Sequence, residues 1–290
     1  MSIIKTSDPL TSWPFLSKIT IPTSSSHKGQ NGKVLVIGGS SLFHGAVLWA
    51  AEAASAIVDM VHVASTKENN EIIRAIKTMW QTGMVISEKD IDSYAQEDDV
   101  ILIGNGMMRT GQEGEYAQKL VSDLIARFPD KQFVFDAGAL QVMSAHLLTS
   151  LRKKAVLTPH QREFQTLFGV DISALSLEEK ERVVQDTAHS YSCIIVLKAV
   201  SDIISNGSKT VVIQGGNAGL TKGGTGDILA GLTAGMSATS DPFVAAIIAS
   251  YLLKKTADEL FEVKGFWYTT QDILALFPSV FHRAFVSTSV

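Results

Sequence analysis

A glycine-rich run, Gly215 to Gly235, carries the residues of this sequence best suited to chemistry. It reads GGNAGLTKGGTGDILAGLTAG and places Gly224, Thr225 and Gly226 at the predicted start of a helix, with Asp227 in the first turn. Free backbone N–H groups and the helix dipole at such a position favour an anion such as phosphate. A carboxylate fits poorly there as an anion ligand. It fits well as a general base beside a phosphoryl group whose charge the N–H groups neutralise.

Asp227 also has a simpler interpretation, because acidic residues often interact favourably with a helix N-terminus without any catalytic role. The length of the run, with Asn217 upstream and small residues along the helix, favours the functional interpretation. Two familiar phosphate-binding motifs do not occur. The segment GNGMMRTG (104–111) fails the G-x-G-x-x-G pattern because position 109 is Arg, and the pattern G-x-x-x-x-G-K-[ST] is not present. Phosphate binding would therefore use a different loop.

Further polar residues follow predicted strands. His160 and Glu163 lie three residues apart in TPHQREF, at a predicted helix start, and Lys198 ends the apolar run CIIVLK. The first pair could bind a metal or, as we favour, act as a helix cap and a surface acid; His160 could also contact a ligand. Lys198 could contact a phosphate or be solvated at the sheet edge. Asp136, after QFVF, could bind a ligand or organise the water around a Mg²⁺ ion.

The remaining distinctive side chains are predicted to pack rather than react. Cys193 is the single cysteine, and we expect it in the core as a small apolar residue. Trp49, Trp80 and Trp267 show no spacing that indicates a stacking platform for bases, so we interpret them as packing residues.

Composition limits the classes of function. Of the 290 residues, 46% are hydrophobic and 19% charged, which excludes a disordered chain. The net charge of −4 gives no strong basic field, so no nucleic-acid partner is expected. One cysteine allows no intramolecular disulfide, and the cytoplasm is the predicted location. The apolar stretch at 242–253 is too short to span a bilayer, and the N-terminus lacks the pattern of a secretory signal, so no membrane partner is expected.

Apolar strands alternate with helical patterns along most of the chain. Examples are KVLVI before a helix rich in Ala, DDVILIG before an amphipathic helix at 113–128, and a capped helix from Ser176 onward. SNGS, at 205–208, predicts a hairpin turn between two closely spaced strands. This pattern predicts an α/β fold with a mostly parallel sheet covered on both faces. We expect a loop-rich N-terminal arm over residues 1–28 and one domain over residues 29–290.

The strand ends together resemble one family. The segments GKVLVIGGSSLFHGAVLWAAEAA, ILIGNGMMRTG, FVFDAGAL, VLTPHQREFQTLFG, IIVLKA and GNAGLTKGGTGDILAGLTAG occur in the order seen in the NAD(P)H-hydrate dehydratases of the ribokinase-like superfamily. The resemblance runs from about Gly29 to about Leu260. It implies a ribokinase-like three-layer α/β/α sandwich, without the additional N-terminal epimerase domain of some members.

The resemblance also implies a reaction. The family removes water from the (S)-hydrate of NADH or NADPH, a metabolite repair by a carbon–oxygen lyase, with Mg²⁺ and with ADP or ATP as phosphoryl donor. The nucleotide phosphorylates the ring hydroxyl, and elimination of phosphate restores the double bond. By this resemblance Asp227 would be the general base, and the backbone around Gly224, Thr225 and Gly226 would form the anion hole. No residue is assigned to the metal.

Other positions match binding segments of the family. Ala46, Gly106 and His160, together with Asp227, would contact the hydrated dinucleotide. The adenine nucleotide would be bound by the segments that contain Lys198, Ala199, Asn217 and Gly226. The resemblance further predicts a homo-oligomer.

Departures from the family pattern concentrate in the substrate-facing loops and leave the exact substrate open. Asn105 and Met108 stand where the family has a proline and a glycine, and Gly138 stands where it has a carboxylate. Gln161 and Arg162 replace a Pro-Gly pair. Ala199 also stands where the family has glycine. Two alternatives stay open: a small-molecule kinase of the same superfamily, of the hydroxyethylthiazole-kinase type, and a non-catalytic nucleotide-binding module.

Overall fold

The predicted apolar runs form a single ten-stranded sheet in the computed structural model, which describes residues 2–288. Its strands are β1 (Ser2–Lys5), β2 (Lys33–Ile37), β3 (Met60–Ala64), β4 (Met84–Val85), β5 (Val100–Ile103), β6 (Gln132–Phe135), β7 (Val156–Leu157), β8 (Ile194–Leu197), β9 (Asp202–Ser205) and β10 (Thr210–Gln214). Their spatial order is β1-β10-β9-β8-β7-β6-β5-β2-β3-β4.

Most neighbouring strands are parallel, as the continuous apolar runs predicted. Only β9 runs antiparallel to its two neighbours, β8 and β10. The predicted hairpin is confirmed: β9 and β10 pair with Ser205 opposite Thr210, and the Asn206 side chain accepts hydrogen bonds from the turn. The carboxyl ends of the parallel strands therefore share one edge of the sheet, where ligands bind in open α/β folds.

Helices cover both faces of the sheet. They are α1 (Trp13–Leu16), α2 (Ala46–Ser55), α3 (Lys67–Ala75), α4 (Ile91–Glu97), α5 (Gly111–Arg127), α6 (Ala137–Val142), α7 (Gln161–Phe168), α8 (Leu177–Ser190), α9 (Thr225–Ser237), α10 (Pro242–Lys264) and α11 (Thr270–Thr288). Side chains of β2 alternate between two cores: Val34 and Val36 pack with α2, α9 and α10, whereas Leu35 and Ile37 pack with α5 to α8. This alternation confirms the three-layer α/β/α sandwich.

The apolar stretch at 242–253 lies in α10, most of whose length is buried against the sheet and α9. Within residues 2–288, no helix combines the length and the hydropathy needed to cross a bilayer.

The N-terminal segment contributes regular structure that the sequence did not predict. Strand β1 pairs in parallel with β10, with Ile4 buried opposite Ile213, and Leu16 of α1 is buried in the core. A four-residue strand with one buried side chain carries little local signal, because its stability comes from a partner about 200 positions away.

The expectation for the packing residues holds in part. Cys193 is fully buried, Trp80 is buried, and Trp49 packs against the core. The expectation for Trp267 is wrong, since this residue is 83% exposed in the short turn that follows α10.

Helix α9 approaches α2 so closely that a glycine is required at the crossing. A Cβ atom on Gly231 would overlap the backbone oxygen of Ala50, whereas one on Gly235 would meet Ile57 at a tight but adjustable 3.0 Å. This close approach fixes the position of α9, whose N-terminus carries Asp227.

We therefore expect Gly231→Ala to destabilise the fold by about 1–3 kcal/mol, because the clash with backbone exceeds the gain in helix propensity. Gly235→Ala is the matched control and should cost less. Denaturant unfolding measures both; equal stability of the Gly231 variant and the wild type would contradict this account of the crossing.

Candidate active site

Polar side chains from four strand ends and one helix meet at the carboxyl edge of the sheet. Asn105 follows β5, Asp136 follows β6, Thr158 follows β7, Lys198 follows β8, and Asp227 lies in the first turn of α9. Hydrogen bonds connect all five side chains. Residues far apart in the chain therefore form one connected polar site.

Asp136 is the centre of this network. Its buried carboxylate accepts hydrogen bonds from Thr158 Oγ1 at 2.7 Å, Lys198 Nζ at 2.8 Å and Asn105 Nδ2 at 2.9 Å. The next residue, Ala137, has a φ of 47°, a left-handed conformation that is strained for a residue with a Cβ atom. The three donors hold the carboxylate in one place.

The negative charge of Asp227 is stabilised by fewer hydrogen bonds than that of Asp136. The Asn105 amide donates to its Oδ1 at 2.8 Å. Burial of the carboxyl and the nearby charge of Asp136 raise the pKa of Asp227 to about 7, while the Asn105 hydrogen bond and Lys198 oppose this rise. A carboxyl that titrates near neutral pH suits a general base, since it is both available and basic enough.

The N-terminus of α9 is open to an anion. Its cap residue, Gly224, has a φ of 95° and no side chain, so no capping side chain covers the first N–H groups. A Cβ atom on Gly224 would press on Trp49 and Thr270, and Gly223 borders open space. Thr225 uses its hydroxyl to hold the preceding loop, by donating to Leu220 and Lys222 carbonyls.

Lys198 places a positive charge beside this helix start. Its Nζ lies 3.4 Å from where a Cβ atom on Gly226 would be. Burial opposes its charge, but Asp136 and Glu163 outweigh this effect and raise the pKa of Lys198, which keeps it charged. An anion at the α9 N-terminus would therefore meet both N–H groups and an ammonium group.

His160 and Glu163 form a capping box at the start of α7, as favoured from the sequence. Glu163 N donates to His160 Nδ1, and His160 N donates to Glu163 Oε2. The expectation that Glu163 is a surface acid is wrong: it is 4% exposed, and Lys198 Nζ lies 3.8 Å from its Oε2. The His160 side chain itself is half exposed, and its Nε2 lies 3.5 Å from Glu163 Oε1.

Two of the predicted dinucleotide contacts, Ala46 and Gly106, are neighbours. A Cβ atom on Gly106 would lie 2.9 Å from the Ala46 Cβ, next to Asn105. Gly138 supports the same loop closely, because a Cβ atom there would press on the Met107 backbone. A carboxylate at position 138 therefore has no room in this chain. Beside this loop lies a cavity of about 300 Å³, which is lined in part by Met108 and residues 38–40.

The predicted nucleotide segment is held by a buried lysine that the sequence did not single out. Lys254 Nζ donates to the carbonyls of Ala199 and Val200, and Asp202 accepts from Ala199 N. Asn217 is engaged by the protein at both ends: its amide donates to Ala257 O and its oxygen accepts from Tyr268 and Gly219. Asn217 thus shapes the loop before α9.

Sequence reasoning missed the roles of Asn105, Glu163 and Lys254. Asn105 was noted only as a departure from a pattern, although its position directly after β5 is the signal that places it at the ligand edge. Lys254 offered no signal, because it lies in the middle of the apolar helix α10.

The fold and this site place the protein among the ribokinase-like α/β proteins. A ribokinase-like superfamily protein from Enterococcus faecalis superposes with a TM-score of 0.81 at 25% identity, over 98% of this chain and 97% of that one. More specifically, the model of the NAD(P)H-hydrate dehydratase family matches residues 34–279, and the chain belongs to that family.

Named relatives agree with this assignment. An ADP-dependent (S)-NAD(P)H-hydrate dehydratase of Cenarchaeum symbiosum is 32% identical over 266 residues, 88% of this chain and 90% of that protein. A bifunctional NAD(P)H-hydrate repair enzyme of Methanocaldococcus jannaschii is 33% identical over 285 residues, 97% of this chain but 54% of that protein. The chain thus spans about half the length of the bifunctional relative.

The raised pKa of Asp227 predicts a pH-dependent cost to stability. The folded carboxyl titrates at about 7 and an unfolded one near 4, so folded stability falls as the pH rises from about 4 to 7. Asp227→Asn keeps the acceptor for Asn105 and removes this cost. Its stability relative to wild type should increase by about 1–3 kcal/mol between pH 4.5 and pH 8, partial exposure reducing the full linkage value of about 3 kcal/mol.

Asp59→Asn is the matched control with the opposite sign. Hydrogen bonds from Asn31 and neighbouring backbone lower the pKa of Asp59, so this carboxylate stabilises the fold at high pH. Denaturant unfolding at the two pH values measures both variants. A relative stability of Asp227→Asn that does not change with pH would contradict the placement of a carboxyl titrating near neutrality.

Proposed function

We propose that this protein dehydrates the (S)-hydrate of NADH or NADPH in a nucleotide-dependent reaction, and is therefore a carbon–oxygen lyase that repairs damaged cofactor. The observation that carries the proposal is the placement of Asp227 at the uncapped N-terminus of α9, with Lys198 beside Gly226. Membership of the family, and a relative named as ADP-dependent, support the choice of substrate and phosphoryl donor.

The first step is phosphoryl transfer to the ring hydroxyl. Asp227 accepts the hydroxyl proton while the oxygen attacks the terminal phosphorus of the nucleotide. The bond from that phosphorus to its bridging oxygen breaks, which releases AMP from ADP or ADP from ATP. The N–H groups at Gly224, Thr225 and Gly226 and the charge of Lys198 stabilise the negative charge of the transferred group.

The second step is elimination. The carbon–oxygen bond of the phosphate ester breaks, a proton passes from the neighbouring carbon to the departing phosphate or to water, and the ring double bond forms. Inorganic phosphate departs with the oxygen atom of the original hydroxyl. The same anion site stabilises the leaving phosphate, because its donors are fixed by the fold rather than by the substrate.

We assign the binding roles in agreement with this geometry. Ala46, Gly106 and His160 contact the dinucleotide next to Asp227. Gly226, Lys198 and the adjoining Ala199 contact the nucleotide, and Asn217 contributes by shaping the loop that precedes α9.

Mg²⁺ is the metal ion that we propose for the reaction, because it commonly binds through substrate phosphates and few protein ligands. Within residues 2–288, no group of three or more His, Cys, Asp or Glu side chains could hold a metal ion. Mg²⁺ held by the phosphates of the nucleotide would neutralise part of their charge.

The kinase alternative would use the same base and anion site on a small alcohol. The named relatives favour the dehydratase. A homo-oligomeric assembly, a cytoplasmic location, and the lack of nucleic-acid and membrane partners stay predictions from the sequence.

Asp227→Asn should lower kcat by about 10²–10⁴-fold and leave nucleotide affinity nearly unchanged, since it removes the base but not the anion site. Absorbance at 340 nm, with hydrated NADH or NADPH, Mg²⁺ and ADP or ATP in separate reactions, measures turnover and identifies the donor. Asp59→Asn serves as the carboxylate control. Turnover of Asp227→Asn close to wild type would rule out this residue as the base.

His160→Ala should raise KM for the hydrated dinucleotide by about tenfold, the effect of one lost hydrogen bond, and change KM for the nucleotide much less. His146→Ala, at another exposed histidine, is the control. Equal effects on both KM values would indicate that His160 acts only as the cap of α7.

A further inference from the structure

The Asn105 side chain lies between the two carboxylates of the site. It is fully buried, and its Nδ2 donates to Asp227 Oδ1 at 2.8 Å and to Asp136 Oδ2 at 2.9 Å. An amide nitrogen carries two hydrogens, so one is available for each carboxylate. A single neutral group therefore links the two acids.

The orientation of this amide is set by the carboxylates. Asn105 Oδ1 is buried and finds no hydrogen-bond partner among the described residues. An acceptor buried without a partner is unfavourable. The opposite orientation would be worse, because it would direct the amide oxygen at two negatively charged groups. The cost of the unpartnered amide oxygen is therefore smaller than the cost of losing both hydrogen bonds to the carboxylates.

The backbone that carries Asn105 is also fixed. Its carbonyl accepts from Gly39 N at 2.7 Å, and a Cβ atom on Gly38 would overlap that carbonyl oxygen. Both flanking glycines have positive φ, 126° at Gly104 and 73° at Gly106. A side chain on such a constrained turn can hold a neighbour to within a narrow range of positions.

Asp227 depends on this amide more than Asp136 does. The charged groups that face Asp227 are Asp136, Glu163 and Lys198, and Lys198 is paired with the other two acids. Among residues 2–288, the hydrogen bonds found for the Asp227 carboxylate come from Asn105 alone. Asp136, in contrast, keeps Thr158 and Lys198 as donors without Asn105.

We propose that Asn105 is the positioning residue for Asp227: it holds Oδ1 and separates the carboxylate from Asp136, which leaves Oδ2 to accept the proton of the substrate hydroxyl. This role rests on the proposed function of Asp227 as base. Asn105 also stabilises the ionised form of the base near neutral pH, because its hydrogen bond is made to the charged carboxylate.

Asn105→Leu, of similar size but without a donor, tests the proposal. The titration of the Asp227 carboxyl is followed by ¹³C NMR of protein labelled at the aspartate carboxyl carbon, and the resonance is assigned with Asp227→Asn. We expect Asn105→Leu to move the Asp227 pKa upward by about one unit or more, which lowers the ionised fraction at pH 7 from about one half to about one tenth or less. Accordingly kcat should fall about fivefold or more at pH 7 and recover toward wild type at pH 9.

Asn105→Asp keeps the shape of the side chain and replaces the donor with a further carboxyl. It should move the pH dependence of kcat in the same direction, because the lost donor and the added negative charge both raise the pKa of Asp227. Asn31→Leu is the matched control, because Asn31 likewise donates to a carboxylate, Asp59, away from the site.

The proposal is overturned if the Asp227 titration stays in place in both folded Asn105 variants. The NMR titration needs no turnover, so it separates this proposal from the proposed function. A shifted titration in a protein that never dehydrates the hydrate would support the role of Asn105 toward Asp227 and reject the reaction.

Discussion

The excess of buried negative charge at the sheet edge is the constraint on which the site depends. Asp136, Glu163 and Asp227 face one cation, Lys198. Asp136 receives most of the hydrogen bonds that stabilise negative charge here, because it accepts from Lys198, Thr158 and Asn105. Asp227 is left with one neutral donor and a pKa raised to about 7. The chemistry follows from this unequal division: Asp136 is held by three donors, and Asp227 is free to exchange a proton.

The fold brings the opposite charge to the same place. Parallel strands deliver Asn105, Asp136 and Lys198 to one edge, and α9 directs its uncapped N-terminus toward them. Gly231 allows α9 to pack directly on the backbone of α2, which sets the distance between the helix start and the strand ends. An incoming phosphate therefore meets N–H groups and Lys198, while the base lies one residue beyond Gly226.

The sequence was sufficient where the signal is local. Apolar runs predicted the main strands, the glycine-rich run predicted an open helix start, and SNGS predicted the hairpin. These features depend on neighbours within a few residues. The same local reasoning placed His160 at the cap of α7, because a capping box is a contact between residues three apart.

Features that depend on distant partners were missed. Strand β1 pairs with the edge of β10, and the buried Glu163 lies 3.8 Å from Lys198, which is 35 positions further along the chain. Asparagine is common in loops, so the residue type of Asn105 gave no signal. Its amide acquires a partner only because the fold places Asp227 of α9 next to it. Trp267 is exposed, although tryptophan is a large apolar residue that is usually well buried. The burial preference of a residue type therefore could not predict its position.

The central claim is that the ring hydroxyl is phosphorylated before it leaves. It is tested most directly by hydrating NADH in H₂¹⁸O, purifying the labelled hydrate, and letting the protein turn it over with nucleotide and Mg²⁺ in ordinary water. Mass spectrometry of the inorganic phosphate then follows the hydroxyl oxygen. The account predicts one ¹⁸O atom in each phosphate formed. Unlabelled phosphate, with the ¹⁸O released as water, would contradict it.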